Sequence, residues 1–464
     1  MKIPELAQMD GLDQLHLIRN NQIKVTEITE HYIQVIKEKN PQLNAVVHTM
    51  FHTSTKEDGV FAGMPFLVKD LNAVKGEPLT SGSKLMDGYT AEVDDVNVRR
   101  FKQAGLTVIG KTNTPEFGFT PATESTYLGY AKNPWNRNYS PGGSSGGAAA
   151  AVASGMIPFA HANDGGGSIR IPASCCGLFG LKPTRGRTPL SLSFNSLSVN
   201  HAVTRSVRDS AALLDVLKGP QKTDSFFTPN DQSSFLEQAG KEPGILKIGY
   251  MADFGSLMEI DGEVQKSTKA TAELCERLGH QVELAYPDFD LHRFMDAFVT
   301  VWVVGGALAV KEAARLNRKE INEMNMERIL FTLHKKGSNM TALQYEEARQ
   351  YLHTESVKVH EFFDSYDVLL HPVNSKPPLP LGHYNGEEKS VDEILAVSAE
   401  YAHLTPIANV TGQPAMSVPL YWGENNLPIG SHFMGRFGDE STLIRLAAQL
   451  EKAQPWWAKY GELV

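Results

Sequence analysis

Two serines follow runs of glycine, and this setting is typical of a nucleophile. Ser144 lies in the stretch Ser-Pro-Gly-Gly-Ser-Ser-Gly-Gly over 140–147, and Ser168 follows Asp-Gly-Gly-Gly over 164–167. Glycines let the backbone approach a ligand closely, and consecutive exposed N–H groups form concavities that bind anions. A serine at the edge of such a loop has an exposed hydroxyl with oxyanion donors beside it. The two loops therefore predict nucleophilic serine chemistry.

Lys69 is the candidate base for these serines. It ends the apolar run Met-Pro-Phe-Leu-Val over 64–68, which predicts a buried strand. Lysines usually face solvent, but a desolvated lysine has a lowered pKa and acts as a base at neutral pH. Serine–lysine pairs are a known variant of serine catalysis. We therefore predict that Lys69 is catalytic.

The elements that must position these residues alternate between helix and strand. Apolar periodicity predicts helices within 10–50 and over 93–104, 148–154 and most of 262–364, and strands over 61–69, 106–109, 157–162, 368–370, 415–420 and 428–434. We expect a turn at Gly63 and the end of a strand at Gly110. The apolar run 298–310 predicts a buried helix, and the polar, proline-bearing stretch 218–245 predicts a surface excursion. This alternation favours an α/β fold.

Composition limits the class of protein. The chain has 464 residues, 41% hydrophobic and 21% charged, and a net charge of −9. Those values are typical of globular proteins, and the acidic balance argues against a nucleic-acid partner. Three cysteines, two of them adjacent, offer neither a disulfide framework nor a zinc spacing. The N-terminal sequence lacks a signal-peptide pattern, and no apolar run reaches the roughly 18 residues of a membrane span. We expect a cytoplasmic protein that does not enter a membrane.

Three general motifs match by letters alone. Residues 105–112 fit the phosphate-loop expression, but the residues between its glycines favour a strand rather than a flexible loop. Residues 142–146 fit the nucleophile elbow of α/β-hydrolases, which must follow a strand, whereas the polar stretch 133–138 precedes them. Residues 81–84 fit the Ser-x-x-Lys motif of penicillin-recognising enzymes, but no Lys-Thr-Gly partner follows. We reject all three.

The combination of motifs resembles the amidase signature family of serine hydrolases. The matching stretches are Gly-Met-Pro-Phe-Leu-Val-Lys-Asp over 63–70, Gly-Lys-Thr-Asn-Thr-Pro-Glu-Phe-Gly over 110–118, the loop 142–147, 164–170 running on to 181–184, and Val-Thr-Gly-Gln-Pro-Ala over 410–415. Within the family the chain resembles bacterial hydrolases of the 6-aminohexanoate cyclic dimer type, through 133–136, 181–187 and 447–456. The implied fold is a mixed central sheet surrounded by helices.

The resemblance implies a Ser–Ser–Lys triad. Ser168 is then the nucleophile, Ser144, preceded by a cis peptide bond, bridges nucleophile and base, and Lys69 is the base. Ser144 can accept the nucleophile's proton and pass its own to neutral Lys69. Backbone N–H groups of Gly165, Gly166 and Gly167, with that of Ser168, would hold the oxyanion.

Other residues near the motifs receive structural roles. We interpret Asp164 and Arg170 as a charged clamp on the nucleophile loop. Ser145 is predicted to cap the following helix, while family members suggest that it also hydrogen-bonds within the site. Cys176 and His161 are predicted to be core residues.

We predict an amidase that forms an acyl-enzyme on Ser168 and needs no cofactor or metal. One domain is expected over 1–464, with a helical segment at 1–55, the motif-bearing core at 60–215, a mostly helical excursion at 218–365 and a return to the core sheet at 366–464. The partner is a small-molecule amide substrate, and a homodimer is possible. Two rival hypotheses are a subunit of a tRNA-dependent amidotransferase and a non-catalytic member of the family.

Overall fold

A mixed β-sheet of eleven strands forms the centre of the structure. The computed structural model describes residues 3–56, 58–190, 196–229, 233–384, 389–461 and 463. The strands within this part are β1 (Val46–Thr49), β2 (Pro65–Lys69), β3 (Thr107–Thr112), β4 (Glu124–Ser125), β5 (Gly129–Tyr130), β6 (Phe159–Asp164), β7 (Phe179–Lys182), β8 (Val199–Thr204), β9 (Lys247–Tyr250), β10 (Gln281–Leu284), β11 (Val368–Pro372), β12 (Ala415–Trp422) and β13 (Pro428–Gly435).

Helices surround this sheet, which confirms the predicted α/β class. In the described part they are α1 (Gly11–Arg19), α2 (Val25–Leu43), α3 (Val96–Gln103), α4 (Gly146–Ala153), α5 (Arg170–Cys176), α6 (Val207–Leu217), α7 (Phe235–Ala239), α8 (Gly262–Arg277), α9 (Leu291–Asn317), α10 (Arg328–Asn339), α11 (Ala342–Phe362), α12 (Val391–Tyr401), α13 (Pro406–Thr411), α14 (Glu440–Ala453) and α15 (Trp457–Tyr460). Short 3-10 helices include Lys84–Met86 and Glu116–Gly118.

The sheet order is β1-β3-β2-β6-β8-β7-β12-β13-β11-β9-β10, and β4 pairs with β5 in a separate two-stranded sheet. The pairs β2/β3, β2/β6, β9/β10 and β9/β11 are parallel, and the other pairs of the large sheet are antiparallel. Strands β2 and β6 therefore end at the same edge of the sheet. The loops after parallel strands are where ligands of α/β proteins bind.

Strand β2 is buried along its whole length. Its Phe66 packs against Phe101, with ring centroids 4.6 Å apart, and against Phe159 at 5.9 Å. The strand begins four residues later than predicted, because the preceding residues turn at Gly63, whose φ is +76°. A Cβ on Gly63 would lie 2.2 Å from Val25 Cγ1 of α2, so both the turn and the packing require glycine.

Helix α4 shows why the first Gly-Ser loop is followed by alanines. Every residue of the helix is buried, and Ala148, Ala149, Ala150 and Ala151 have no exposed surface. A helix that is apolar on all sides is stable only inside a protein, and alanine lets its neighbours approach closely. The helix packs against β6 and α5 and so holds the two Gly-Ser loops beside each other.

Several predicted boundaries were wrong. Strand β3 does not end at Gly110 but continues to Thr112, because a missing side chain at Gly110 lets β1 approach; a Cβ there would lie 2.7 Å from His48 O. The strand predicted over 157–162 is displaced to Phe159–Asp164. Strands β1, β7, β8, β9 and β10 and the β4/β5 pair were not predicted. Apart from β8, which has six residues, they have two to four residues each. Strand β1 lies within the stretch 10–50 that was predicted to be helical, so that prediction was wrong at its end, and both β1 and β10 lie at edges of the sheet.

Helix α9 contains the apolar run predicted to be a buried helix, and it is longer than that run. It is the one helix of the described chain that is long and apolar enough to cross a membrane by length and composition, a test that core helices also pass. Half of its apolar window is buried within the protein. The excursion predicted over 218–245 contains the short helix α7, and its residues 230–232 lie outside the described part.

Candidate active site

The three predicted catalytic residues lie where β2, β6 and α4 meet. Lys69 is the last residue of β2, Ser144 lies two residues before α4, and Ser168 lies between β6 and α5. The Gly143–Ser144 peptide bond is cis, as the family resemblance implied. Lys69 has no exposed surface and Ser144 has 2%. Lys69 and Ser144 are 75 positions apart in the sequence, and Ser144 and Ser168 are 24 positions apart. All three lie at the same edge of the sheet.

The side-chain nitrogen of Lys69 has three oxygen neighbours. Its Nζ lies 2.7 Å from Ser144 Oγ, 2.7 Å from Asn163 Oδ1 and 3.0 Å from Ser145 Oγ. Burial lowers the pKa of Lys69 well below its ordinary value of 10.5, and the negative charge of Asp164 opposes this by a smaller amount. The surroundings therefore favour an uncharged amine, which is the form that acts as a base.

Ser168 is the most accessible of the three predicted residues. It is 9% exposed, and its Oγ makes no hydrogen bond to any residue of the described chain. Its side chain lines two neighbouring cavities, and Ser144 lines one of them. A substrate entering either cavity therefore reaches the Ser168 hydroxyl.

Asp164 holds the loop that carries Ser168. Its Oδ1 accepts a hydrogen bond from the Gly167 N–H at 2.8 Å, and its Oδ2 accepts one from the Ile169 N–H at 3.2 Å. These two amides flank Ser168 on either side. Burial by itself would raise the pKa of Asp164, but the charge and hydrogen bonds of Arg170, with smaller effects of Lys182 and Asn409, lower it to about 2. The carboxylate is therefore ionised and fixes the loop around the serine.

This contact corrects the predicted role of Gly167. The family resemblance implied that the amides of all three loop glycines hold an oxyanion, but the Gly167 N–H donates to Asp164 Oδ1 instead. Gly167 is glycine for another reason: its φ is +131°, and a Cβ would lie 2.3 Å from Thr405 Oγ1. The amides of Gly165, Gly166 and Ser168 have no acceptor in the described chain.

The clamp predicted from Asp164 and Arg170 is present and fully buried. All five N–H donors of the guanidinium have acceptors: Nε bonds Asp164 Oδ2, Nη2 bonds Asp164 Oδ1 and Asn409 Oδ1, and Nη1 bonds Thr405 O and His432 Nε2, at 2.7–2.9 Å. A buried charge is tolerated when it is paired and all its donors are satisfied. The clamp therefore joins the loop that carries Ser168 to α13 and β13.

Two stacked aromatic rings of α9 cover the loop that carries Ser168. Phe298 and Trp302 lie with ring centroids 5.5 Å apart at 26°. A Cβ on Gly165 would lie 3.1 Å from Trp302 Cη2, and one on Gly166 would lie 3.2 Å from Phe298 Cζ. The two glycines therefore let the rings lie directly on the backbone of the loop.

The two cavities that meet at Ser168 differ in size and chemistry. The apolar chamber measures about 90 Å³, and its walls include Phe119, Ile171, Met295, Phe298, Val299 and Trp302. The polar chamber measures about 670 Å³, and its walls include Asn72, Asp95, Arg99, Ser144, Asn163 and Asn200. Ser168 and Trp302 line both chambers.

The structure separates the two interpretations of Ser145. It occupies the N-cap position of α4 but makes no capping hydrogen bond, so the capping prediction was wrong. Its Oγ accepts from Lys69 Nζ and donates to Asn163 O at 3.3 Å. The neighbouring core predictions hold: Cys176 and His161 are fully buried, and burial lowers the pKa of His161 to about 3.

The rejected motifs have structural roles. The phosphate-loop match contains strand β3, and its Lys111 is buried in an ion pair with Asp70 at 2.5 Å. No strand precedes the nucleophile-elbow match among the described residues 131–141, and Lys84 of the remaining match is exposed. Within the described residues no group of three or more His, Cys, Asp or Glu side chains could hold a metal ion.

Sequence reasoning missed Asn163 and the aromatic wall. Asn163 stands at the end of β6, immediately before Asp164, so its place beside the nucleophile loop was a usable signal. Phe298 and Trp302 lie in the apolar run that was assigned to the core. An apolar residue of a helix that lines a cavity has the same local sequence pattern as one that packs in the core, so the sequence could not show that these two line the cavity.

Comparisons with known proteins identify the family. A family model described as Amidase matches residues 27–444. A 6-aminohexanoate-cyclic-dimer hydrolase of Paenarthrobacter ureafaciens is 35% identical over 98% of this chain and 97% of its own. The chain belongs to the amidase family. It is accordingly a hydrolase of carbon–nitrogen bonds, as the resemblance implied.

Solved structures agree with this assignment. The structure of a 6-aminohexanoate cyclic dimer hydrolase superposes on this amidase with a TM-score of 0.91 and 33% identity, covering 98% of this chain and 99% of the other. A bacterial aryl acylamidase of the amidase signature family superposes with a TM-score of 0.87 and 26% identity, covering 98% of each chain. The fold of the family therefore extends over nearly the whole chain.

Proposed function

We propose that this amidase hydrolyses small linear or cyclic amides through an acyl-enzyme on Ser168, with Ser144 and Lys69 carrying the proton. One observation carries the proposal: Lys69 Nζ lies 2.7 Å from Ser144 Oγ in a site that excludes water from the amine. The hydrogen bonds around Lys69 then determine in which direction the proton moves.

A neutral lysine amine has two hydrogens and one lone pair. Asn163 Oδ1 can only accept, and Ser145 Oγ already donates its hydrogen to Asn163 O, so each takes one Lys69 hydrogen. The lone pair is left for Ser144, whose hydroxyl hydrogen must then point at Nζ. Ser144 Oγ is thereby free to accept a proton from a second hydroxyl.

This direction of the hydrogen bonds, with Ser144 donating to Lys69, permits acylation of Ser168. Ser168 Oγ attacks the carbonyl carbon of the amide, its proton passes to Ser144 Oγ, and the proton of Ser144 passes to Lys69 Nζ. The free amides of Gly165, Gly166 and Ser168 donate to the oxyanion that forms. Ser168 Oγ makes no hydrogen bond to Ser144 in the described chain, and catalytic hydrogen bonds of this kind commonly tighten only in the complex with substrate.

The same relay runs backwards to release the amine. Lys69 returns its proton to Ser144, Ser144 donates one to the leaving nitrogen, and the carbon–nitrogen bond breaks. Water then attacks the ester on Ser168, gives its proton to the relay, and releases the carboxylic acid. No cofactor enters these steps, and each proton taken up by Lys69 is returned in the same cycle.

The names of the relatives suggest the substrate class. Hydrolases of a cyclic amide and of aryl amides share this fold over nearly their whole lengths. Small amides also fit chambers of about 90 and 670 Å³. We place the enzyme in the cytoplasm, in keeping with the unpaired, buried thiols of Cys175, Cys176 and Cys275, which fractionation would test.

Labelling with a fluorophosphonate, followed by peptide mass spectrometry, tests the proposal. We expect the adduct on Ser168 in the parent and no adduct in Ser168→Ala. Ser154→Ala is a matched control, because Ser154 is a buried serine at the other end of α4, away from both chambers. An adduct on Ser144, or full amide hydrolysis by Ser168→Ala, would overturn the assignment. Glutaminase activity that appears only with added protein subunits would instead support an amidotransferase.

A further inference from the structure

Two chambers of different chemistry meet at Ser168, and each can hold one half of an amide substrate. We propose that the apolar chamber binds the acyl part of the amide and the polar chamber binds the amine part. The preferred substrate then joins a short apolar acid to a larger polar amine. This inference rests on the proposed serine mechanism and adds the substrate class to it.

The proton relay decides which chamber holds the amine. The leaving nitrogen must receive a proton from Ser144, so it must lie within hydrogen-bond distance of that hydroxyl. Ser144 and Asn163 line the polar chamber and not the apolar one. Gly143 and Gly166 line the apolar chamber. With the carbonyl carbon at Ser168, the nitrogen points into the polar chamber and the acyl chain into the apolar one.

The apolar chamber fits a short acyl group. No charged side chain lines it among the described residues, and its walls include the aromatic rings of Phe119, Phe298 and Trp302. A protein cavity that binds benzene measures about 150 Å³. A chamber of about 90 Å³ therefore accepts a short chain but excludes long-chain or bicyclic acyl groups.

The polar chamber fits a larger, hydrogen-bonding amine. Its volume of about 670 Å³ is lined by several amide side chains, including Asn72, Asn97 and Asn200. Its charged groups are Asp94, Asp95, Glu312 and Arg99.

Two of the three acids in the polar chamber are already paired, because Asp94 bonds Lys102 and Glu312 bonds Arg315, both at 2.8 Å. Asp95 makes no ion pair with a described residue, and it is half-buried. Arg99 also makes no ion pair with a described residue, so the two unpaired charges of the chamber balance. A neutral terminal group that forms hydrogen bonds, such as a hydroxyl, is therefore favoured on the amine part over a carboxylate, whose burial costs more.

A pair of isomeric amides tests the orientation. One joins butanoic acid to an amine with a terminal hydroxyl, N-(hydroxyhexyl)butanamide, and the other reverses the halves, N-butyl hydroxyhexanamide. The two have the same atoms and a similar amide bond, so their intrinsic reactivity is matched. We expect kcat/KM to favour the first isomer by roughly tenfold or more, because the reversed isomer places its hydroxyl in an apolar wall. A carboxylate in place of the hydroxyl should reduce kcat/KM for the first isomer.

Three variants on one helix test the chambers separately. Val299 lines only the apolar chamber, Ala309 lines only the polar chamber, and Leu308 is exposed and lines neither. Val299→Trp should lower the ratio of kcat/KM for butanoyl over acetyl amides roughly tenfold. Ala309→Trp should lower the ratio for hydroxyhexyl over methyl amides by a similar factor. Leu308→Trp, which adds the same ring to α9, should change neither ratio.

The outcomes separate this inference from the mechanism. Equal or reversed preference between the isomers, with both hydrolysed and Ser168 labelled, would overturn the orientation alone. The same follows if Val299→Trp changes amine preference and Ala309→Trp changes acyl preference. If the parent hydrolyses neither isomer and Ser168 resists the fluorophosphonate, the proposed function fails and the orientation with it.

Discussion

Asn163 Oδ1 lies 2.7 Å from Lys69 Nζ, and this amide oxygen is an uncharged neighbour where a carboxylate of nearly the same shape would fit. The neighbour matters because the proposed base must lose its proton near neutral pH. A negative charge at this distance would favour the ammonium form, whereas the amide accepts a hydrogen bond and adds no charge.

The variant Asn163→Asp should therefore move the acid limb of activity to higher pH. An opposite charge this close raises a pKa by about 1–3 units, so more Lys69 is protonated at neutral pH and kcat/KM falls tenfold or more. Activity should recover as the pH rises. Profiles of kcat/KM against pH for the parent, Asn163→Asp and Asn163→Ala give the comparison. Asn163→Ala removes the acceptor without adding a charge, and its limb should not move upward. An unmoved limb in Asn163→Asp would mean that Lys69 is not the titrating base.

Replacing the base by a permanent cation is a second prediction. Activity of the parent should fall on acidification, as Lys69 takes up a proton, and level off toward alkaline pH. Lys69→Arg should lose roughly 100- to 10,000-fold in kcat/KM at every pH, because a guanidinium stays protonated and cannot act as a base. An arginine variant that keeps most of the activity would reduce Lys69 to an electrostatic role.

The relay also predicts non-additive losses. Residues that act as a unit lose their joint contribution when any one is removed. Lys69→Ala and the double variant Lys69→Ala, Ser144→Ala should therefore show similar, severe losses in the rate of acylation, measured by single-turnover kinetics. If the losses of the two single variants multiplied in the double variant, Ser144 and Lys69 would act independently.

The sequence was sufficient to select three residues that the structure brings together at one edge of the sheet. Lys69 ends a run of buried apolar residues, and Ser144 and Ser168 follow glycine runs, so each is conspicuous without knowledge of the fold. Strand β6 and helix α4 were also predicted, because their local sequences are apolar, but the predicted ends were wrong by one or two residues. Asp164 and Arg170 were recognised as a clamp because they lie six positions apart on either side of one loop.

The rest depended on contacts between distant parts of the chain. The sequence could not show which loop amides lack an acceptor. Asp164 accepts a hydrogen bond from the Gly167 amide and not from the Gly166 amide, and this choice depends on the folded shape of the loop. Trp302 covers Gly165 from 137 positions away, and its helix pattern is that of an ordinary core helix. Strands β9 and β10 are short and join the sheet only by pairing with β11 and with each other, which no local pattern indicates.

The clamp residue Arg170 leads to a prediction about two buried histidines. Arg170 Nη1 donates to His432 Nε2 at 2.9 Å, so His432 must carry its proton on Nδ1, which donates to His371 Nε2 at 3.0 Å. His371 Nδ1 then donates to Pro372 O at 2.8 Å. Burial lowers the pKa of both rings, His371 to about 4, so both stay neutral. His432→Phe leaves an Arg170 donor without an acceptor.

We expect His432→Phe to lower the free energy of unfolding by about 1–3 kcal/mol, the usual cost of an unsatisfied buried donor. His432→Gln keeps an acceptor for Arg170 and should recover part of this loss. Urea unfolding of the three proteins gives the comparison. Equal stability of the phenylalanine and glutamine variants would show that the hydrogen bond to Arg170 contributes nothing measurable.

Glu116 leads to a prediction about stability and pH. Its Oε1 accepts from Ser83 Oγ at 2.5 Å and its Oε2 from the Glu327 N–H at 2.9 Å, on a side chain with 1% exposure. Burial and, to a smaller extent, the nearby carboxylate of Glu327 outweigh these two hydrogen bonds and raise the pKa of Glu116 to about 8. The folded protein therefore keeps a proton on Glu116 that the unfolded chain, with an ordinary pKa of 4.5, releases.

The sign of the effect follows from this difference in bound protons. Between about pH 4.5 and 8 the folded state binds the extra proton, so the contribution of Glu116 to stability is full below this window and is lost as the pH rises through it. Glu116→Gln cannot ionise and should lack this slope, so its free energy of unfolding should rise relative to that of the parent from pH 5 to pH 8. Glu346→Gln, at an exposed residue paired with Arg349 on α11, is the matched control and should follow the parent at every pH. Urea unfolding at several pH values measures the three slopes. If Glu116→Gln ran parallel to the parent, Glu116 would be ionised in the folded protein, and its burial beside Glu327 would need a compensating charge.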